Sequence, residues 1–213
     1  MSKCVAGITI PSGPMSRAAA KFAIANMPDV LYRHSVRVFL FAALIGQRRR
    51  VAYDADLLYV TALFHDVGLT PPYQSSQRRF EVDSANAVKS FLSEHDALDT
   101  EIAEAWRATA LHTTFGIETE MLTLASLIIT GVETDLLGLH FDEVDHSERN
   151  SVLRAFPRGP AFKETIIEVF ARGMKHRPAT TFGTVNADVL DRCDPNYRRK
   201  NFCGLILGSS WAD

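Results

Sequence analysis

The chain has little of what marks several whole classes of protein. Its three cysteines, Cys4, Cys193 and Cys203, are odd in number, far apart and never in C-x-x-C spacing. That argues against a disulfide framework and against cysteine-ligated zinc, and makes a reducing cytoplasm the expected compartment. An excess of charge of one sign is also missing: 23 Lys+Arg against 25 Asp+Glu give a formal net charge of −2. Neither nucleic acid nor a membrane surface is therefore expected as a partner. No apolar run is long enough to span a bilayer. Near the N-terminus Pro11, Ser12, Gly13 and Pro14 interrupt the apolar residues, which excludes a secretory h-region. Internal repeats, sustained alternation and convincing strands are absent as well.

What is present is a helical globular protein. At 213 residues, 46% hydrophobic and 23% charged, the chain fits one domain with a sizeable core. A small-molecule substrate is the expected partner, and self-association into a homo-oligomer is compatible with this composition. Residues 1–13 carry breakers and no period, and read as an irregular entry. Helices are expected over 16–25, ending before Pro28, and over 30–46, where Val30, His34, Arg37, Phe41 and Leu44 recur at steps of three or four. With Asp54 as N-cap, the next runs over 55–67. Residues 68–80, with Pro71, Pro72, Ser75 and Ser76, read as a loop and a natural lid. Further helices follow over 84–95, from a cap at Asp99 or Thr100 to His112, and over 118–137, 147–156, 161–175 and 185–192. The class is all-α, a single bundle with a peripheral C-terminal extension. It divides into an N-terminal segment with the first helix (1–27), a core (28–160) and an extension (161–213).

Several polar residues sit awkwardly on this pattern. The run Leu57-Leu58-Tyr59-Val60-Thr61-Ala62-Leu63-Phe64 ends in His65-Asp66, and burying an unpartnered carboxylate costs several kcal/mol. A cation removes that penalty, since neutral imidazole and carboxylate both bind zinc, iron or manganese. The plain alternative is a helix C-terminus whose dipole favours His65. His34 lies on the apolar stripe of the second helix, where a lone histidine is more often a satisfied core residue than a ligand. Glu133 and Asp135 interrupt the apolar 118–137 helix; positions two apart differ by about 200°, so only one should face the interior. His112 ends another apolar face. Arg48-Arg49-Arg50 read as solvated cations beyond a helix end, and His95-Asp96 as a polar helix end. Arg78, Arg79, Glu81 and Asp83 either reach over a site or face solvent.

His34, His65-Asp66 and Asp135 come from three separate helices in the order H…HD…D. On these residues the chain resembles the HD-domain superfamily of metal-dependent hydrolases. Within it the chain is similar to the cyanamide hydratase-like branch, through Arg33-His34-Ser35-Val36-Arg37-Val38-Phe39, Leu58-Tyr59-Val60-Thr61-Ala62-Leu63-Phe64-His65-Asp66 and Phe80-Glu81. The similarity extends less sharply through Leu111-His112 and Thr134-Asp135-Leu136-Leu137-Gly138, and spans about residues 28–160. The resemblance implies an all-helical bundle in which His34, His65, Asp66 and Asp135 hold one divalent metal, zinc first, with iron or manganese as alternatives. The implied chemistry is metal-activated water. Asp66 would double as a proton acceptor, His112 would bind substrate, move a proton or hold a second metal, and Glu81 would be an acid/base on the lid. Arg37 would pair with an anion or a carboxylate, and Glu133 would lie behind the site or on the surface. Two reactions are open: hydration of a small nitrile such as cyanamide, or hydrolysis of a nucleotide or other phosphate ester. A non-catalytic metal- or ligand-binding module is the third reading. A phosphohydrolase needs a ring of cations, and Arg33, Arg37, Arg78 and Arg79 are the main ones near the motifs, which favours a small uncharged substrate.

Overall fold

The computed structural model of the chain describes residues 3–211, and among them the fold is all-α. The helices are α1 Pro14–Asn26, α2 Asp29–Arg48, α3 Ala55–Phe64, α4 Phe80–Ser93, α5 Asp99–Leu111, α6 Thr123–Leu137, α7 His146–Ala155, α8 Phe162–Met174, α9 Asn186–Cys193 and α10 Phe202–Leu207. The entry segment is more regular than its composition suggests. Strands β1 Cys4–Val5 and β2 Ile8–Thr9 pair as a small antiparallel hairpin. Its turn residues Ala6 and Gly7 both have positive φ, the conformation that tight hairpins require.

The bundle is organised on α2, which is buried from His34 to Gly46 on every face, as a central helix apolar all round must be. It packs on α3 and α6, while α4 packs on α5, α5 on α6 and α1 on α3. Fully buried side chains such as Leu31, Phe39, Leu40 and Ile45 each contribute roughly 1.5–3 kcal/mol. The α2–α6 crossing is close: a Cβ at Gly131 would lie 2.5 Å from the Val38 carbonyl oxygen, so only glycine allows it. Asp54 caps α3 as expected, accepting from the Leu57 N–H at 2.8 Å. At α5 the cap is instead Leu98, whose N–H donates to Glu101 at 2.9 Å.

Three boundaries differ from the expected ones. The helix expected to run through residue 67 stops at Phe64, because His65 Nδ1 takes the Ala62 carbonyl at 2.6 Å and the chain continues as a 3-10 turn, Val67–Leu69. A Cβ at Gly68 would meet the Phe80 carbonyl oxygen at 2.1 Å; this glycine lets α4 begin directly against the turn, one helical turn earlier than expected. The helix expected from residue 118 begins at Thr123, after a 3-10 turn, Glu118–Glu120.

The C-terminal extension divides. Helices α8 and α9 pack on the bundle, with Phe162, Ile166, Val169 and Leu190 buried. Residues 194–211 stay peripheral, and Phe202, Leu205, Ile206, Leu207 and Trp211 are exposed. All three cysteines are free and exposed. No helix of the described residues is long and apolar enough to cross a membrane.

Candidate metal centre

Two helices end in the same local device. At the end of α3, His65 folds its ring back so that Nδ1 meets the Ala62 carbonyl three residues earlier. At the end of α5, His112 does the same to the Thr109 carbonyl, also at 2.6 Å. A carbonyl oxygen only accepts, so each Nδ1 carries the hydrogen and each Nε2 presents a lone pair. A third histidine, His34 on α2, has its Nδ1 fixed at 2.7 Å from Asp135 Oδ2. Asp135 is an ionised acceptor, so His34 too turns an Nε2 lone pair outward.

These Nε2 atoms converge on Asp66. His34 Nε2 and His65 Nε2 lie 3.3 Å apart; His65 Nε2 lies 3.2 Å and His34 Nε2 3.7 Å from Asp66 Oδ2. His112 Nε2 is 3.4 Å from Asp66 Oδ1. All four side chains are buried, and neither Asp66 oxygen has a hydrogen-bond partner. A buried carboxylate that accepts no hydrogen bond, ringed by lone pairs, lacks one thing: a cation. His34, His65 and Asp66 offer ligand atoms all within 4.8 Å of one another. Such a set fits a divalent ion that takes nitrogen and oxygen donors. Burial pushes both histidines towards the neutral form; His34 stays below its ordinary pKa, while contact with Asp66 carries His65 above. Burial would raise the Asp66 carboxyl, but where no cation is bound a proton on the facing His65 and His112 imidazoles does the cation's work and holds it below the usual carboxylate range.

Asp135 is placed differently from the ligand position that the resemblance implies. It sits behind His34, on the Nδ1 side, and outside the three-residue cluster. Arg37 donates to it through Nε (2.8 Å, to Oδ1) and Nη2 (2.9 Å, to Oδ2), and Arg158 through Nη2 at 3.3 Å. Arg37 is fully buried, with its guanidinium 4.9 Å from the Phe162 ring. A carboxylate held by a bidentate arginine has little left to offer an ion, but it orients His34, whose Nε2 faces the cluster. Glu133 corrects the expectation that only one of the two α6 carboxylates faces inward. Both are buried, and Glu133 Oε2 lies 2.9 Å from His140 Nε2, which comes from the turn after α6.

Glu81 corrects the lid reading. It lies wholly buried in the first turn of α4. It accepts from Arg79 Nη2 (2.9 Å), Thr113 Oγ1 (2.7 Å) and Asn186 Nδ2 (2.8 Å). Burial would raise its pKa, yet Arg79, His112 and Thr113 hold it below the ordinary value. The loop before it is pinned. Buried Arg177 bonds Asp83, the Arg78 carbonyl at 3.0 Å and the Gly173 carbonyl at 3.1 Å, tying residues 78–83 to the end of α8.

A cavity of about 310 Å³ opens above the histidines and Asp66. Its walls are apolar, with Phe80 and Phe115, Val132 and Leu136 from α6, and Phe162, Ile166 and Phe170 from α8; among the described residues Lys163 is its one cationic lining residue. Sequence reasoning did not find this wall, nor Arg158, Thr113 and Asn186. The spacing of Phe162, Ile166, Val169 and Phe170 is a helical stripe legible in the sequence, but nothing in it says which surface it covers.

Residues 31–132 match the family model of the HD domain. Over that segment the chain is similar to HD domains. Its matched segment includes His34, His65, Asp66, Glu81 and His112 and ends before Asp135. HD domains are typical of metal-dependent hydrolases, and the cluster of His34, His65 and Asp66 is the matching candidate metal site. No curated protein matches the chain.

Proposed function

We propose that the protein is a metal-dependent enzyme that adds water to a small uncharged substrate of nitrile type, with cyanamide the simplest case. The observation that carries this reading is the cavity: apolar walls over a floor of three imidazole Nε2 atoms and Asp66, with Lys163 the one cationic lining residue among the described residues. Phosphate esters need several cations around the transferred group, and the arginines near the motifs are engaged elsewhere. Arg37 is spent on Asp135, Arg33 on Asp29 and Arg79 on Glu81, while Arg78 lines a separate open groove.

His34, His65 and Asp66 would hold the ion, with zinc the first choice and iron or manganese alternatives for such donors. A divalent ion there supplies Lewis acidity to water and to the substrate nitrogen. His112 then has the chemistry of a general base. Its Nδ1–H is anchored on Thr109, and its Nε2 can take a proton from the attacking water and return it to nitrogen. The new bond joins oxygen to the nitrile carbon, and the product is an amide, or urea from cyanamide. Asp135 and Arg37 keep His34 in the required tautomer, and the apolar walls exclude competing water.

The test measures bound metal on the purified protein, then urea or amide formation from cyanamide and benzonitrile beside phosphate release from a nucleotide panel. Hydration without phosphate release is expected, and His65→Ala should lose both metal and activity. Phosphate release alone sinks the reaction assigned here; a His65→Ala protein that keeps metal and activity removes the site.

A further inference from the structure

Three separated parts of the chain meet at one carboxylate oxygen. Glu81 Oε1, at the start of α4, receives Thr113 Oγ1 from the residue pair after α5, Asn186 Nδ2 from the first residue of α9, and Arg79 Nη2. An ionised carboxylate only accepts, so the chemistry fixes the hydrogens: the Thr113 hydroxyl hydrogen and one Asn186 amide hydrogen both point at Glu81. Thr113 and Asn186 also line the cavity over the histidines, whereas Glu81 does not. What remains for the cavity is therefore set. Thr113 can offer only lone pairs. Asn186 can offer its carbonyl oxygen and one amide hydrogen. The Nε2 atom of His112 is a lone pair as well, because its Nδ1 hydrogen is taken by Thr109, while those of His34 and His65 are the ones assigned to the ion.

Resting on the reading of this cavity as the substrate site, we propose that Glu81 is a positioning residue. It turns Thr113 and Asn186 into an acceptor-rich rim that selects substrates carrying N–H donors on an apolar body. A ligand with acceptors alone finds no hydrogen on Thr113, whose hydroxyl is already given to Glu81, and a site that bonds a substrate N–H discriminates against an analogue lacking it. The apolar walls take the rest of the molecule. Asn186 lies outside the matched HD segment, so this selectivity belongs to α9, an element of this chain beyond that segment.

The test reads binding, not turnover. Calorimetry on the metal-loaded full chain compares benzamide with N,N-dimethylbenzamide, which keeps the ring and carbonyl but lacks N–H. Benzamide should bind about tenfold tighter or more. The ratio should fall to about one in Thr113→Val, which keeps the shape, and in Glu81→Leu, which removes the acceptor that holds the hydroxyl hydrogen; Thr113→Ser should retain it. Metal content should be equal in all four proteins, a result that separates rim positioning from damage to the centre. Equal binding of the two probes, no binding of either, or a ratio that survives Thr113→Val overturns the proposal. An intact ratio in a protein that hydrates no nitrile counts against the reaction alone. Nitrile hydration with a ratio near one counts against the rim alone.

Discussion

Replacing Asp135 by asparagine separates two roles that the HD motif leaves merged, ligand and orienting group. In the structure the Asp135 carboxylate holds His34 Nδ1 at 2.7 Å and takes both forks of Arg37 at 2.8 and 2.9 Å. Asparagine has one acceptor oxygen and one donor group, so it cannot keep His34 and both forks of Arg37 together, the forks being divided between Oδ1 and Oδ2. If it keeps His34, an NH2 faces the Arg37 guanidinium; if it keeps Arg37, His34 loses the acceptor that fixes its tautomer. Stranding a buried charge by removing its partner costs about 3–5 kcal/mol. Arg37 retains contacts to the Phe156 and Pro157 carbonyls at 3.2 and 3.4 Å, which places the cost near the lower end. At about 2–4 °C per kcal/mol for a chain of this size, the melting temperature should fall by about 6–12 °C. An orienting partner of a metal-binding histidine is worth about 10–100-fold in affinity, so Asp135→Asn should still load metal at full stoichiometry, with affinity reduced by that factor. His65→Ala should hold none. Adding Arg37→Met to Asp135→Asn removes the stranded cation and should recover much of the lost stability without recovering the affinity. The assays are thermal unfolding and metal titration against a competing chelator. If Asp135→Asn abolishes metal binding as completely as His65→Ala, the carboxylate is a ligand and its placement behind His34 is wrong.

Other consequences follow from the same contacts. Asp135 and Glu81 are held below their ordinary pKa values of 3.8 and 4.5; depressed carboxylates contribute stability in full above those values and lose it as pH falls through the folded ones. The melting temperature should therefore be flat from about pH 7 to about pH 5.5 and drop steeply below about pH 4.5, and a flat profile down to about pH 3 would contradict the pairing. Ile166→Trp fills the α8 wall of the cavity and should raise KM about tenfold or more for any bulky nitrile while metal content stays constant. Gly131→Ala drives a Cβ to within 2.5 Å of the Val38 carbonyl and should destabilise by about 1–3 kcal/mol or more through forced separation of α2 and α6, read as a lower denaturant midpoint.

Much of this protein is written in its periodicity. The apolar steps of residues 30–46 required a buried helix, and the run 57–64 required another that ends at a histidine and an aspartate. A carboxylate at such a place needs a partner, so His65-Asp66 was legible as a candidate, although on those two residues alone a plain helix end was the better reading. Local pattern carries that much because helix faces and end effects act over one or two turns. Tertiary structure decided the rest. His112 joined the centre because α5 ends with the same fold-back of imidazole onto carbonyl as α3, and only packing brings the two ends together. Glu81 looked like a lid residue because nothing local says that α4 starts early or that Asn186, 105 positions away, returns to its carboxylate. Asp135 had the spacing of a ligand, but the buried fork of Arg37 captured both its oxygens, and a pairing across 98 residues leaves no trace in a helical period. The apolar stripe of α8 could be seen in the sequence, but the cavity it walls could not. A stripe specifies that a face is buried, and the partner it is buried against is fixed only when the chain closes on itself.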